Sequence, residues 1–146
     1  MMRVSVELEW RPVDEVLMDR DRLVFPHLPE TAGLYRLRLV GSTSTSTYIG
    51  ETANLKRRAA GYRGGHAGQV TNARMNRRMR EHLGAGGRIE MSIATAAVLA
   101  VDSETDRPLD LARKASRLLV EAAALHAVPD AEPLENLPGI GDMAPG

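Results

Sequence analysis

The chain has 146 residues, no net formal charge and 43% hydrophobic residues, the make-up of one ordinary globular domain with no room for a separate second one. Zero cysteines exclude disulfides, thiolate zinc sites and cysteine nucleophiles, and make a cytoplasmic protein the simplest expectation. The first thirty residues are peppered with charge and hold no continuous apolar run, so neither a secretory signal nor a membrane span is visible.

Val4 to Trp10 alternates apolar and polar residues, the period of a half-buried strand. Residues 11 to 24 are expected to form a short helix, because Val13, Val16, Leu17 and Met18 recur near helical spacing, and Pro26 and Pro29 would break it. Residues 1–30 therefore read as a strand and helix extension without an assigned function. Leu34 to Val40 is predicted as a strand and Thr47 to Gly50 as its short partner, with the polar run 41–46 as a hairpin loop. No histidine or lysine base accompanies the hydroxyls of that loop, so they are expected to be solvated and not nucleophilic.

A helix is expected from about Thr52, with that hydroxyl as N-cap. Asn54, Arg58 and Tyr62 are four apart, which places them in a row on one helix face, with Arg58 and Tyr62 turned together toward the tyrosine hairpin. Gly61, Gly64, Gly65 and Gly68 flank a segment expected to be flexible. A second helix is predicted over Asn72 to Leu83, with Thr71 as N-cap and Gly84 as its stop. Met75, Met79, Leu83 and His82 would face inward, leaving Arg74, Arg77, Arg78 and Arg80 outside.

Arg88 to Leu99 reads as one strand, followed by an acidic turn from Asp102 to Arg107. Pro108 fits the first turn of a final helix, about Leu109 to Ala127, in which Leu111, Ala115, Leu118, Ala122 and Leu125 form an apolar stripe. Glu121 lies about 60° from the centre of that stripe on the helical repeat. A carboxylate at the edge of a buried face needs either an arginine or a metal ion as partner. The stretch 129–146 is rich in proline and glycine and reads as an ordered edge followed by a loose tail, in which Asn136 is by itself a turn residue. His27, His66, His82 and His126 show no metal-ligand spacing; His66 stands nearest the basic helices in sequence.

Neutral overall charge conceals segregation. Residues 56 to 88 hold nine basic side chains against the single acid Glu81, which gives this segment a charge of +8 and the remainder −8. A polyanion would feel such a face before the total, so Lys56, Arg57, Arg63, Arg74, Arg77 and Arg78 are candidate nucleic-acid contacts. Arginine outnumbers lysine 17 to 2, which suits bidentate phosphate contacts. All three tyrosines, Tyr35, Tyr48 and Tyr62, lie beside this segment or in it. A phenol that can pass a proton and a guanidinium that can hold a phosphate oxygen are two of the groups needed to cut a phosphodiester with water.

Gly33-Leu34-Tyr35, a strand-turn-strand gap, Tyr48-Ile49-Gly50 and then Asn54-Leu55-Lys56-Arg57-Arg58 resemble the GIY-YIG nuclease family, including the amino-terminal nuclease domain of the bacterial excision-repair incision subunit. The match is strongest over 33 to 63. Leu118-Leu119-Val120-Glu121-Ala122 resembles the family's helix with a metal-binding glutamate, and Pro133-Leu134-Glu135-Asn136 its closing segment. Some members carry a lysine where this chain has Glu51.

The resemblance implies an α+β fold with a small antiparallel sheet of three core strands, open to a fourth from the N-terminus, flanked by helices. It places the nuclease-like domain at 31–137, between the extension 1–30 and a tail at 138–146. It further implies a metal-dependent endonuclease, of repair or restriction type, acting on DNA, with RNA left open. Tyr35 or Tyr48 would be the proton acceptor for the attacking water, Arg58 the phosphate clamp and Tyr62 a supporting hydroxyl. Asn136 would be a positioning group and Glu121 the sole protein ligand of Mg2+ or Mn2+, since magnesium needs only one or two carboxylates. The alternative is a non-catalytic nucleic-acid-binding module on the same fold. Without an appended reader domain, weak intrinsic sequence preference or a partner protein that supplies specificity is expected, and a homodimer or two visits would be needed to cut both strands.

Overall fold

The computed structural model describes residues 1–64, 70–102 and 106–136. The expectations for His66, for Gly65 and Gly68 and for the tail 138–146 lie outside the described residues. Among those described there are nine strands and three helices. The chain begins with β1 (Val4–Leu8), β2 (Arg11–Pro12) and the paired β3 (Leu17–Asp19) and β4 (Arg22–Val24). The helix expected over 11–24 is therefore not formed. Arg20 and Asp21 take positive φ of 52° and 64°, the two-residue turn that matches strand twist, and they do so without a glycine to announce it. Val13 and Val16 donate backbone N–H bonds to Met91 and Ile89, so an apolar spacing read as helical belongs to extended chain against a strand.

The hairpin expected from the sequence is present as β5 (Gly33–Val40) and β6 (Thr45–Thr52), but the partner strand is eight residues long and not short, and the loop is only 41–44, closed by Gly41 N–H on the Ser44 carbonyl. Next come α1 (Leu55–Gly64) and α2 (Val70–Gly84). Asn54, not Thr52, caps α1: its Oδ1 accepts the Arg57 N–H at 2.9 Å, while Thr52 accepts the N–H of Asn54 at 3.1 Å. Thr71 stands inside α2 and not ahead of it.

The single strand expected over Arg88 to Leu99 is two, β7 (Arg88–Ala94) and β8 (Ala97–Val101), which belong to different sheets. Pro108 lies in β9 (Arg107–Leu109), at a sheet edge where its missing N–H costs no ladder bond, and the last helix α3 (Lys114–His126) starts five residues later than expected.

All strand pairs are antiparallel. The principal sheet runs β2-β7-β5-β6, a second runs β1-β8-β9, and β3-β4 is a separate hairpin. The principal sheet thus has four strands, and its N-terminal member is the two-residue β2, not β1. Alternation along β5 decides what each face covers. Tyr35, Leu37 and Leu39 pack with Leu55, Tyr62, Met75 and Met79 beneath α1 and α2, in a core that also takes Val16, Leu23 and Leu28 from the N-terminal stretch. Leu34 packs on the opposite face with Ala94, Leu111 and Val120, against α3 and the second sheet.

The apolar stripe expected on α3 faces the wrong way. Arg117, Val120 and Ala124 are the buried positions, whereas Leu118 and Leu119 are 46% and 44% exposed. The cause is Arg117. Its Nε donates to Glu51 at 2.7 Å and its Nη1 to the Leu111 and Ala112 carbonyls at 3.0 Å, and this network orients the helix. No helix among the described residues is long and apolar enough to cross a membrane.

Candidate active site

Antiparallel register places Tyr35 opposite Gly50 and Leu37 opposite Tyr48, so the two phenols are diagonal neighbours on one face of the hairpin, ring centroids 6.1 Å apart. Gly50 is required by this packing, because a Cβ there would overlap the Tyr35 hydroxyl. At Gly33 a Cβ would stand 2.6 Å from the Ala94 carbonyl oxygen, so both glycines of the motif permit close approach.

The Asn54 cap sets the phase of α1 so that Arg58 and Tyr62, one turn apart, descend on the same face. Arg58 Nε donates to the Tyr35 hydroxyl and its Nη2 to the Tyr62 hydroxyl, both at 3.2 Å, and the guanidinium lies 4.7 Å over the Tyr62 ring. The Tyr35 and Tyr62 hydroxyls are 2.5 Å apart, and Tyr62 donates to Tyr48 at 3.3 Å. A hydroxyl has one proton. With the Tyr62 proton directed at Tyr48, Tyr35 must donate to Tyr62, and the chain runs Tyr35 to Tyr62 to Tyr48. Tyr48 is the only one of the three whose proton has no acceptor inside the cluster.

All three rings are buried, Tyr48 least at 6% exposure. Burial, with the neighbouring phenol Tyr48, pushes the Tyr35 hydroxyl above its ordinary value near 10, although Arg58 opposes this. Burial likewise pushes Tyr62 up, reinforced by Tyr35 and Tyr48. For Arg58 burial acts downward, but Tyr35 and Tyr62 outweigh it and hold the guanidinium above its usual value. The cluster therefore contains a fixed cation, Arg58, beside two phenols, Tyr35 and Tyr62, that keep their protons. Phe25 stacks on Tyr62 at 6.4 Å and covers the group, with a void of only about 10 Å3 between them, Leu37 and Leu55. Sequence reasoning gave Phe25 no role; that it is the one phenylalanine of the chain, just ahead of two prolines, was the available signal.

Glu121 is not hydrogen-bonded to this cluster. It is half-buried on α3, next to Val120, which packs with Leu34, and its nearest named neighbour is Glu51, the residue after Gly50 on β6. Burial and the neighbouring Glu51 carboxylate push the Glu121 carboxyl above the usual carboxylate range, while the Glu51 backbone and Lys114 pull the other way. Arg117 is committed to Glu51, so Glu121 has no ion pair among the described residues. A carboxylate without an ion pair has the donor chemistry of a hard-cation ligand. No group of three acidic or histidine side chains gathers for a metal among the described residues.

Asn136 grips the backbone of the motif strand: its Nδ2 donates to the Ile49 carbonyl at 2.8 Å and its Oδ1 accepts the Ile49 N–H at 3.1 Å. It holds the strand between Tyr48 and Gly50, and its side-chain hydrogen bonds go to the Ile49 backbone and not to a phenol. Of the candidate nucleic-acid contacts, Lys56, Arg57, Arg63 and Arg77 are exposed. Arg74 and Arg78 are not free. Arg74 donates to the Glu135 carbonyl at 2.5 Å and Arg78 pairs with the Glu135 carboxylate at 3.0 Å, which also takes the Ser46 hydroxyl. His82 bonds the Val40 and Arg88 carbonyls and is structural.

Comparison with protein-family models, with curated proteins and with solved structures gives no match. The functional reading therefore rests on the residues and their geometry.

Proposed function

We propose that this chain is a metal-dependent endonuclease of GIY-YIG type that hydrolyses DNA phosphodiesters. The observation that carries the reading is the hydrogen-bonded group of Arg58 with Tyr35, Tyr62 and Tyr48, four side chains brought together from three elements, β5, β6 and α1. Arg58 would neutralise charge that develops on the phosphate. Burial holds Tyr35 and Tyr62 protonated, so no standing phenolate base is required: Tyr48, at the end of the hydrogen-bond chain, would accept the attacking water's proton as its own proton passes to a non-bridging oxygen of the bound phosphate. Glu121 would hold Mg2+ or Mn2+, which supplies Lewis acidity at the phosphate oxygens. Asn136 acts by fixing the strand.

The test is nicking of supercoiled plasmid with Mg2+ or Mn2+. Arg58→Ala and Glu121→Gln should each lower the rate by about 10² to 10³ or more with binding retained, and Tyr48→Phe should cost more than Tyr35→Phe. If Glu121→Gln cuts like wild type, the metal ligand is misassigned.

A second reading, a nucleic-acid-binding module without hydrolysis, is favoured by one specific arrangement: Glu121 lies outside the phenol cluster, and Glu51 is tied to Arg117. Wild type that binds DNA yet nicks with neither metal would decide for it. Repair or restriction as biological role, RNA as substrate, and a homodimer or specificity partner stay within the proposal and follow from which substrates are cut.

A further inference from the structure

The face of the sheet away from the tyrosines holds a cleft of about 270 Å3 between β1, the middle of β5 and β6, and the C-terminal end of α3. Its wall is mostly apolar, with Val6, Leu8, Trp10, Ile49, Ala124 and Val128 contributing. The small side chains of Ala123, Ala124 and Ala127 leave the space open where larger ones would fill it. One cation enters this wall. Arg36 sets its guanidinium 5.0 Å from the Trp10 ring centroid, and its Nε is buried without a hydrogen-bond partner.

The carboxylates nearest Arg36 are already engaged. Glu90 takes Arg38 at 3.0 Å and Arg88 at 3.0 Å, and Glu132 takes Arg38 at 2.8 Å and Thr47 at 3.2 Å. Arg36, Arg38 and Arg88 thus share two carboxylates: Arg36 feels Glu132 and Glu90 at longer range but forms an ion pair with neither among the described residues. A buried donor without a partner is costly, and more so when its group is charged. Cation–π stacking satisfies the face of the guanidinium but not its N–H edge.

We infer that this cleft binds a small organic anion, a monocarboxylate on an apolar body, with the carboxylate on the Arg36 guanidinium and the body against Trp10 and the alanines of α3. Guanidinium matches carboxylate in two parallel bonds. The apolar wall selects the body: an apolar cavity of roughly 150 Å3 holds a benzene-sized guest, so a six-membered ring with its carboxylate fits. Inorganic phosphate, which requires donors on all sides, does not suit a wall that holds one cation and, at its rim, the Glu132 carboxylate already paired with Arg38. This site is separate from the proposed nuclease centre and does not depend on it.

Trp10 is the only tryptophan, so its fluorescence reports occupancy directly. The full chain is titrated with cyclohexanecarboxylate, with the neutral isostere cyclohexanecarboxamide, and with inorganic phosphate. A saturable change for the carboxylate is expected, with the amide weaker by about tenfold or more, as for loss of a charged hydrogen bond, and phosphate weaker still. Arg36→Met, which removes the charge, and Ala123→Leu, which fills the cleft while leaving Arg36 in place, should each abolish saturation. An unsaturable carboxylate titration, equal binding of the amide, tighter binding of phosphate, or unchanged binding in either variant overturns the inference. The comparison of the three ligands is made on wild type alone, so it decides the matter even if both variants fail to fold.

Discussion

Gly50 and Tyr35 form the tightest contact of the candidate site, and each explains the other. The phenol can cross the neighbouring strand only where no side chain rises from it. Gly50→Ala should therefore displace the Tyr35 ring from Arg58 and cost about 1–3 kcal/mol, as overpacking does, measurable by urea unfolding. The phenols also carry a testable pH dependence. Tyr35 and Tyr62 hold their protons above the ordinary phenol value near 10, chiefly through burial. Below that value neither folded nor unfolded chain has lost them. Above it the unfolded chain deprotonates first, so the stability these groups contribute falls as pH rises beyond 10. Alkaline absorbance titration should find Tyr35 and Tyr62 silent near 10 and ionising together with unfolding. Two phenolates appearing in native protein at pH 10 would contradict the buried cluster. Tyr35, Tyr48, Arg58 and Tyr62 were all legible as a group, because spacing along a hairpin and one helical turn fixes their order. Their burial was not, since it depends on Phe25 from outside the motif.

At the scale of elements, α3 shows how a periodic pattern can point to the wrong face. Leu111, Ala115, Leu118, Ala122 and Leu125 repeat at helical spacing, but the helix turns Arg117, Val120 and Ala124 inward. One buried guanidinium with a carboxylate and two carbonyls to satisfy outweighs the burial of two leucines, because an unpaired buried charge costs more than an exposed methyl group. Leu118→Gln with Leu119→Gln should thus change stability by no more than about 0.5 kcal/mol each, whereas Val120→Ala should cost about 1–3 kcal/mol. Thermal or urea unfolding of the two sets separates the faces. The same rotation places Glu121 beside Glu51 and sets the alanines along the Arg36 cleft. The N-terminal hairpin was missed for a related reason. Val13, Val16 and Leu17 fit either period, and the turn at Arg20 and Asp21 lacks the glycine or asparagine that usually marks it.

Across the whole molecule the segregated charge survives folding only in part. Arg74 and Arg78 join α2 to Glu135, and so fasten the segment Pro133 to Asn136 along the open edge of β6, where Thr47 and Leu134 form a bridge. An edge strand that would otherwise invite pairing is covered. The remaining exposed cations, Lys56, Arg57, Arg63 and Arg77, form the proposed contact set. Arg57→Ala with Arg63→Ala should weaken DNA binding evenly across sequences and reduce the slope of log affinity against log salt by roughly 0.9 for each lost phosphate contact. Arg78→Ala should instead act on stability. A salt slope that responds to Arg78 and not to Arg57 or Arg63 would move the binding face to α2.

What the sequence determined by itself was local: the hairpin with its paired tyrosines, the helical turn joining Arg58 to Tyr62, and the α+β class, each set by residues within one or two turns of chain. The tertiary structure alone decided which residues of α3 point inward, which arginines are answered by Glu135 and Glu51, and that the buried Nε of Arg36 has no hydrogen-bond partner among the described residues. Those outcomes depend on pairings between residues 57 to 94 positions apart, where ion pairs and backbone carbonyls compete for the same guanidinium groups, and no local period records who wins.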